Sequence, residues 1–246
     1  VTGASKGIGE ATARRLAKGG AAVVVNYAGS EQQAEQLVCE IERDGGKALA
    51  VQADVSREDD IAELFSRARE ELGVIDILIN NAGVEKACPL QDMSLEDWQQ
   101  VIDVNLTGAF LCCREFVRGL LQERSPGVIV NVSSVHEVIP WRNFSHYCAS
   151  KGGLKLFGQS IAYELAPHGI RVVGIAPGAI ATPINAEMLE NPKEREKVES
   201  EIPWGRVGSA DEVAGAIAWL AGSDAEYVVG STLFLDGGML LYPNFV

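Results

Sequence analysis

The sequence predicts an α/β fold: one doubly wound parallel sheet in a single domain. Three observations carry that expectation. Short apolar runs alternate with amphipathic stretches from end to end. A glycine-rich turn stands near the start, between the end of a strand and a helix. No linker, internal repeat or low-complexity segment divides the 246 residues. Strands of four to eight residues separated by helices make βαβ units, whose right-handed crossovers leave a parallel sheet covered on both faces. The length suits one such domain with a sizeable core.

In chain order, TGASKGIG (2–9) leaves a strand and enters a helix. Only Val1 and Thr2 stand before that turn, so native residues ahead of Val1 are expected, and a targeting segment there stays open. AAVVVNY (21–27) is a buried strand. SEQQAEQLVCEIERDGG (30–46) is a helix in which Ser30 and Gln33 form a capping box and Ala34, Leu37, Val38 and Ile41 share a face. KALAVQADV (47–55) is the next strand. Ser56 with Asp59 opens a helix that turns Ile61, Leu64, Phe65, Ala68 and Leu72 inward. IDILINNAG (75–83) is a strand, and Ser94 caps a long helix reaching about Leu121. VIVNVSS (128–134) is followed by a helix from Tyr147 to Ala166. IRVVGIAPG (170–178), a helix from Asp211 to Leu220 and STLFLDGG (231–238) complete the pattern. Residues 182–208, TPINAEMLENPKEREKVESEIPWGRVG, break the rhythm. Long connections after a strand's carboxyl end in such sheets usually act on a ligand, which predicts a substrate lid.

Composition narrows the classes of partner. A net charge of −13 excludes the clustered lysines and arginines of a nucleic-acid surface and disfavours anionic lipid. A 47% hydrophobic and 22% charged chain without eighteen consecutive apolar residues reads as soluble and globular. The five cysteines form no C-x-x-C and read as small buried thiols of a reducing, cytoplasmic compartment. His136, His146 and His168 show no ligand spacing, so no metal is expected.

The glycine turn points to a dinucleotide. Gly3, Gly7 and Gly9, with Ser5, Lys6 and Ile8 between them, suit a tight turn, close approach to a pyrophosphate and tight helix packing. The strand at 21–27 ends in Asn26 and Tyr27, without the acid that would bind a ribose 2′-hydroxyl and select NAD. Lys6 is placed to meet a 2′-phosphate, its alternative being a plain surface lysine. NADP is therefore expected, with NAD open. Asp54 and Val55 fall at the adenine, and Asn81, Ala82 and Gly83 against its ribose.

Tyr147 and Lys151, four apart on one helix, share a face. A tyrosine base needs its pKa, near 10, brought towards neutrality, and a neighbouring ammonium favours the phenolate. Ser134 ends a strand where the sheet opens to ligand, so its hydroxyl can hold a reacting oxygen. Ser133 points to the opposite face, and His146 is structural.

Together TGASKGIG, NNAG (80–83), Asn105, Ser134, Y-x-x-x-K at 147–151, IAPGAIATP (175–183) and LDGG (235–238) resemble the short-chain dehydrogenase/reductase family over essentially the whole chain. The resemblance implies a Rossmann-type domain and a catalytic tetrad of Asn105, Ser134, Tyr147 and Lys151. It also places Lys151 on the nicotinamide ribose, and Pro177, Gly178, Ile180 and Thr182 along the nicotinamide end. Asn105 is implied to fix a helix distortion and a water that links Lys151 to solvent. A homotetramer paired through the two long central helices and the last strand is implied as well. SSVHEVIPW, NNAGVE, LTGAF, ATPINAE, VESEIP and DGGMLLYPNF are similar to the bacterial glucose 1-dehydrogenases of that family. That similarity implies oxidation of β-D-glucose at C1 to glucono-lactone with NAD or NADP. A polyol needs several aimed polar groups, and Glu85, His136 and Asn185 are the candidates. Glu85 and His136 as solvated loop residues are the plainer alternatives. An NADPH-dependent carbonyl or 3-oxoacyl reductase and a non-catalytic NADP-binding protein are the other functions to weigh. The intact tetrad speaks against the last.

Overall fold

The computed structural model describes residues 1–241, so the last positions of the DGGMLLYPNF segment lie outside the described residues. In chain order the elements begin with α1 (Gly7–Lys18), β1 (Ala22–Tyr27), α2 (Glu31–Arg43), β2 (Lys47–Gln52), α3 (Glu58–Leu72) and β3 (Ile77–Asn80). There follow α4 (Leu95–Ile102), α5 (Gly108–Glu123), β4 (Gly127–Val132), α6 (Ser145–Leu165) and β5 (Ile170–Pro177). The chain closes with β6 (Ile180–Ala181), α7 (Ala186–Glu190), α8 (Pro192–Ser200), β7 (Gly208–Ser209), α9 (Ala210–Ala221) and β8 (Thr232–Leu235).

All strand pairs are parallel: β2 beside β1, and β3-β4-β5-β8 in a second set. Residues 1–4 join the two sets. Asn26 N donates to Val1 O, Ala4 N to Asn26 O, and Thr2 N to Ile79 O. One continuous surface results, in the order β2, β1, residues 1–4, β3, β4, β5, β8.

Period-2 alternation divides the strand side chains between two helical layers. Ile129 joins α3, α5 and α6 through Ile61, Phe65, Phe116 and Leu165. Val128, Val130 and Val132 join α9 through Val213, Ile217 and Leu220. Beyond the first strand, α1 and α2 cover β1 and β2 with Ala13, Leu37 and Ile41. The sheet is thus doubly wound, as expected. No helix among the described residues is long and apolar enough to cross a membrane.

Several local expectations are refined. Ser30 does stand before α2, but its hydroxyl makes no capping bond. Its ψ of 58° misses the extended geometry of Ser94 and Ser209, whose ψ values are 157° and 156° and whose hydroxyls do cap. Ser56 does not open α3. Its hydroxyl donates to Asp54 Oδ1 at 2.7 Å, and the Asp60 carboxylate accepts from Asp54 N. The long helix expected from Ser94 is interrupted at Asp103–Thr107 by a π-helical segment that contains Asn105, where the family resemblance implied a distortion. The cysteines are all free, but Cys39 is exposed and Cys148 half-buried, because position 39 falls on the face of α2 opposite Leu37 and Ile41.

Ile217 is fully buried between α9 and the sheet. Ile217→Ala is expected to cost about 2–5 kcal/mol, read as a lower urea midpoint with unchanged slope.

Candidate active site

The carboxyl ends of the strands open into a cleft of about 1180 Å³ that runs from the glycine turn to the segment after β6. Gly3 and Gly7 hold φ of +59° and +61°, where a side chain is strained. A Cβ on Gly3 would also lie 3.0 Å from Ala82 Cα, so the turn and the NNAG segment touch backbone to backbone. Thr2 Oγ1 accepts from Asn81 N and Ala82 N, and Asn81 Nδ2 donates to Thr2 O and Gly3 O. Gly9 lies behind the turn, where any side chain would collide with Gly3 O and Asn81.

Asn26, expected among the cofactor-binding residues, lines the cleft with its side chain buried beneath the turn. Its Oδ1 accepts from Gly3 N at 3.1 Å, and its Nδ2 donates to Ala53 O at 3.0 Å, so the amide holds the turn. Lys6, Tyr27, Ala28, Gly29 and Ser30 line the same end of the cleft. Ser5, Ile8, Asp54, Val55, Asn81, Ala82, Gly83, Pro177, Gly178, Ile180 and Thr182 line the cleft as expected. Lys6 makes no side-chain cap on α1, so free N–H groups of that helix point at the turn. Positive-φ glycines and an open helix N-terminus together fit a dinucleotide pyrophosphate.

The four tetrad positions come together at mid-cleft. The π-helical segment turns Asn105 inward, where Oδ1 accepts from Val84 N at 2.8 Å and Nδ2 donates to Val84 O at 2.9 Å and Ser150 Oγ at 3.1 Å. Ser134 stands two residues beyond β4 in extended geometry, and its Oγ accepts from His136 N at 3.2 Å. Ser133 faces away, into a small space under α6, as alternation requires. Lys151 is 4% exposed; its Nζ donates to Val132 O at 2.9 Å and lies 5.6 Å from the Tyr147 ring centre. His146 is fully buried and accepts from Tyr147 N through Nδ1.

Burial governs the charges here. It pushes the Tyr147 phenol well above its ordinary value, against a hydrogen bond with Ser134 that works downward. Desolvation thus sets the direction for the phenol, and the lowering expected from the Lys151 ammonium does not prevail. Burial brings Lys151 down to about 8, while the charges of Glu85 and Glu137 oppose it. Desolvation raises Glu85 and lowers His136.

At the far end, Glu85, His136 and Asn185 all line the cleft. His136 Nδ1–H is engaged by Ile139 O at 3.2 Å, leaving Nε2 as an acceptor. Asn185 Nδ2 donates to Ile180 O at 2.8 Å. A wall that the sequence did not flag stands beside them. His136 stacks on Trp141 at 4.5 Å and Trp141 on Phe144 at 3.7 Å, with His136 and Trp141 edge-on to Tyr147 at 6.2 and 6.0 Å. The available signal was the P-W-x-x-F spacing in the loop between β4 and α6. The segment 182–208 folds as α7 and α8, tied at its base by β6 and β7, and Glu194, Val198 and Glu201 of α8 and its end face the cleft.

This cleft and its residues are those of a nucleotide-dependent oxidoreductase, and the chain belongs to the short-chain dehydrogenase/reductase family. A family model described as "Enoyl-(Acyl carrier protein) reductase" matches residues 3–240. The 3beta-hydroxysteroid dehydrogenase 1 of Eggerthella lenta is 52% identical over 100% of this chain and 94% of that protein. The glucose 1-dehydrogenase 2 of Bacillus subtilis is 45% identical over 99% of this chain and 95% of that protein. A crystal structure of a gluconate 5-dehydrogenase from Burkholderia cenocepacia, in complex with NADP and tartrate, superposes with a TM-score of 0.92 at 32% identity, covering 98% and 93% of the two chains.

Asn26→Ala would leave Gly3 N and two strand carbonyls without their partner. Expected are a stability loss of about 1–3 kcal/mol and a weaker NADPH dissociation constant by about tenfold or more, read by fluorescence titration.

Proposed function

We propose that the protein oxidises a secondary ring hydroxyl to a carbonyl with NAD(P), and that its preferred substrate is a flat, largely apolar fused-ring alcohol of the 3β-hydroxysteroid class. The aromatic wall of His136, Trp141 and Phe144 beside Tyr147 carries this reading. Such a wall offers ring faces and few hydrogen bonds, which suits an apolar ring better than a polyol. The Eggerthella lenta relative, named for a 3β-hydroxysteroid, supports it.

In the mechanism Tyr147 takes the proton of the substrate hydroxyl as the carbon–oxygen bond becomes a carbonyl. Ser134 holds that oxygen, within reach of the same tyrosine. Lys151 keeps a positive charge beside the phenolate, and Asn105 holds the loop and α6 in register around it. The bound NAD(P) supplies the hydride acceptor, held by the glycine turn, Asn81–Gly83 and the segment 177–182. Lys6 and Ser30 favour NADP, since both can meet a 2′-phosphate and β1 ends in Asn26 and Tyr27 rather than in an acid. Residues 182–208 act as the lid.

Oxidation of β-D-glucose at C1 to glucono-lactone is the second reading. It is favoured by the Glu85 carboxylate in the substrate half of the cleft and by the Bacillus subtilis relative. The working form is a cytoplasmic homotetramer. Phe110, Leu156 and Tyr163 on α5 and α6, and Trp219, Tyr227 and Leu233 near α9 and β8, are exposed apolar side chains suited to two such contacts.

A panel of 3β-hydroxysteroids, glucose, other sugars and simple ketones, each with NAD and NADP, decides between the substrates by absorbance of the reduced cofactor. Steroid turnover that Trp141→Ala lowers about tenfold is expected; sugar oxidation without steroid turnover overturns the first reading. Tyr147→Phe is expected to cut kcat by about 100-fold or more while cofactor affinity stays within about twofold. Size-exclusion with light scattering at four times the chain mass is expected; a monomer refutes the assembly.

A further inference from the structure

We infer that His146 is a positioning residue for Tyr147: its imidazole Nδ1 caps the first turn of α6 and so holds the tyrosine in place for proton transfer. The inference rests on the role given above to Tyr147, and it gives His146 more than the structural part expected of it from the sequence.

Tyr147 stands in the first turn of α6, three residues after Phe144. A helix is held least firmly there, because its first N–H groups have no acceptor in the ladder. The first such bond in α6 runs from Cys148 N to Phe144 O at 2.9 Å, one residue beyond the tyrosine. In many helices a Ser, Thr, Asp or Asn at the N-cap accepts from the N–H two or three places on. Here the N-cap is Phe144, whose side chain has no acceptor and makes no capping bond. Its ψ of 35° departs from extended capping geometry, and Asn143 before it holds φ at +68°. The chain therefore enters α6 through a sharp turn without a cap of the ordinary kind.

His146 supplies the cap from inside the turn. Its ring is fully buried, and Nδ1 accepts from Tyr147 N at 3.0 Å. On the other side of the tyrosine, Ser150 Oγ donates to Tyr147 O at 2.7 Å and accepts from Asn105 Nδ2 at 3.1 Å. Both backbone polar groups of Tyr147 are thus bound to buried side chains. To accept at Nδ1, the neutral ring carries its proton on Nε2. That nitrogen has no hydrogen-bond partner among the described residues. A buried N–H left unpaired is unfavourable, and an aliphatic side chain would fill the space without it. What the imidazole adds is the bond to Tyr147 N. His146 acts through the backbone and not on the substrate: Tyr147 lines the cleft, and His146 is not among the residues that do.

The test compares wild type with His146→Asn, His146→Gln and His146→Leu, using whichever alcohol the enzyme oxidises. Asparagine puts an amide oxygen at the place of Nδ1, glutamine puts its amide at the place of Nε2, and leucine offers neither. A small displacement of a reacting group costs turnover steeply, so kcat of the Gln and Leu variants is expected to fall about tenfold. His146→Asn is expected to recover most of that loss, to within about threefold of wild type, with the NADPH dissociation constant within about twofold in all three. Asn and Gln variants with the same kcat overturn the inference, as does a loss that follows Tm across the series. A Leu variant with wild-type kcat also overturns it. If His146→Leu does not fold, the Asn–Gln pair decides alone, since both carry the same amide and differ only in its reach. A wild type that oxidises no alcohol, or a Tyr147→Phe variant that retains turnover, would instead refute the role given to Tyr147 itself.

Discussion

The working geometry of the cleft depends on one buried amide. Asn105 points inward because five residues of π-helix interrupt what would otherwise be a single helix from Leu95 to Glu123. Without the extra residue per turn its side chain would rotate away from the sheet. From that position it clamps Val84 through both N and O, and reaches Ser150, whose hydroxyl donates to Tyr147 O at 2.7 Å. One side chain therefore fixes the break between α4 and α5, the loop after β3 and the start of α6 relative to each other. Gly83 belongs to this arrangement. A Cβ there would stand 3.4 Å from Asn105 Oδ1 and 3.7 Å from Lys151 Nζ, so the loop passes the lysine with backbone alone.

The clamp produces a dry centre, and dryness sets its electrostatics. Burial favours the neutral forms of both Tyr147 and Lys151, the opposite of the phenolate and ammonium that proton abstraction needs. The surrounding groups divide the correction. Ser134 works on the tyrosine, favouring its ionised form. Glu85 acts on both groups: it helps Lys151 keep its proton and also makes Tyr147 harder to ionise.

Much of this was legible in the sequence because it is local. Period-2 and period-3.6 patterns give the strands and helices. The spacing of Tyr147 and Lys151, and the phase of Ser133 and Ser134 at a strand end, follow from helix and strand geometry alone. What escaped depends on contacts between distant segments. Asn26 could be seen to end a strand near the glycine turn, but not that pairing with residues 1–4 commits its amide to Gly3 N and Ala53 O. Ser30 had a capping sequence without the backbone angle to use it. Trp141 and Phe144 lie in an irregular loop, where no periodicity says that a tryptophan will stack between a histidine and a phenylalanine. The rise of the Tyr147 phenol was missed because spacing shows a nearby ammonium but not how thoroughly the site excludes water.

The same distinction bears on the substrate. Glu85, His136 and Asn185 form a polyol-binding set when counted as residue types, and the structure does bring all three to the cleft. Counted as free donors and acceptors they are fewer. His136 has given its N–H to Ile139 O, and Asn185 has given one of its two amide N–H groups to Ile180 O. A sugar would meet one desolvated carboxylate, one imidazole nitrogen, the remaining N–H and the Oδ1 of Asn185, and a wall of ring faces, and each hydroxyl left without a partner would weaken binding. A fused apolar ring with a single hydroxyl at Tyr147 asks for little more than that wall and the Ser134–Tyr147 pair. The bond to Ile139 O also holds His136 flat against Trp141, so the imidazole N–H withdrawn from polar recognition helps to build the apolar surface.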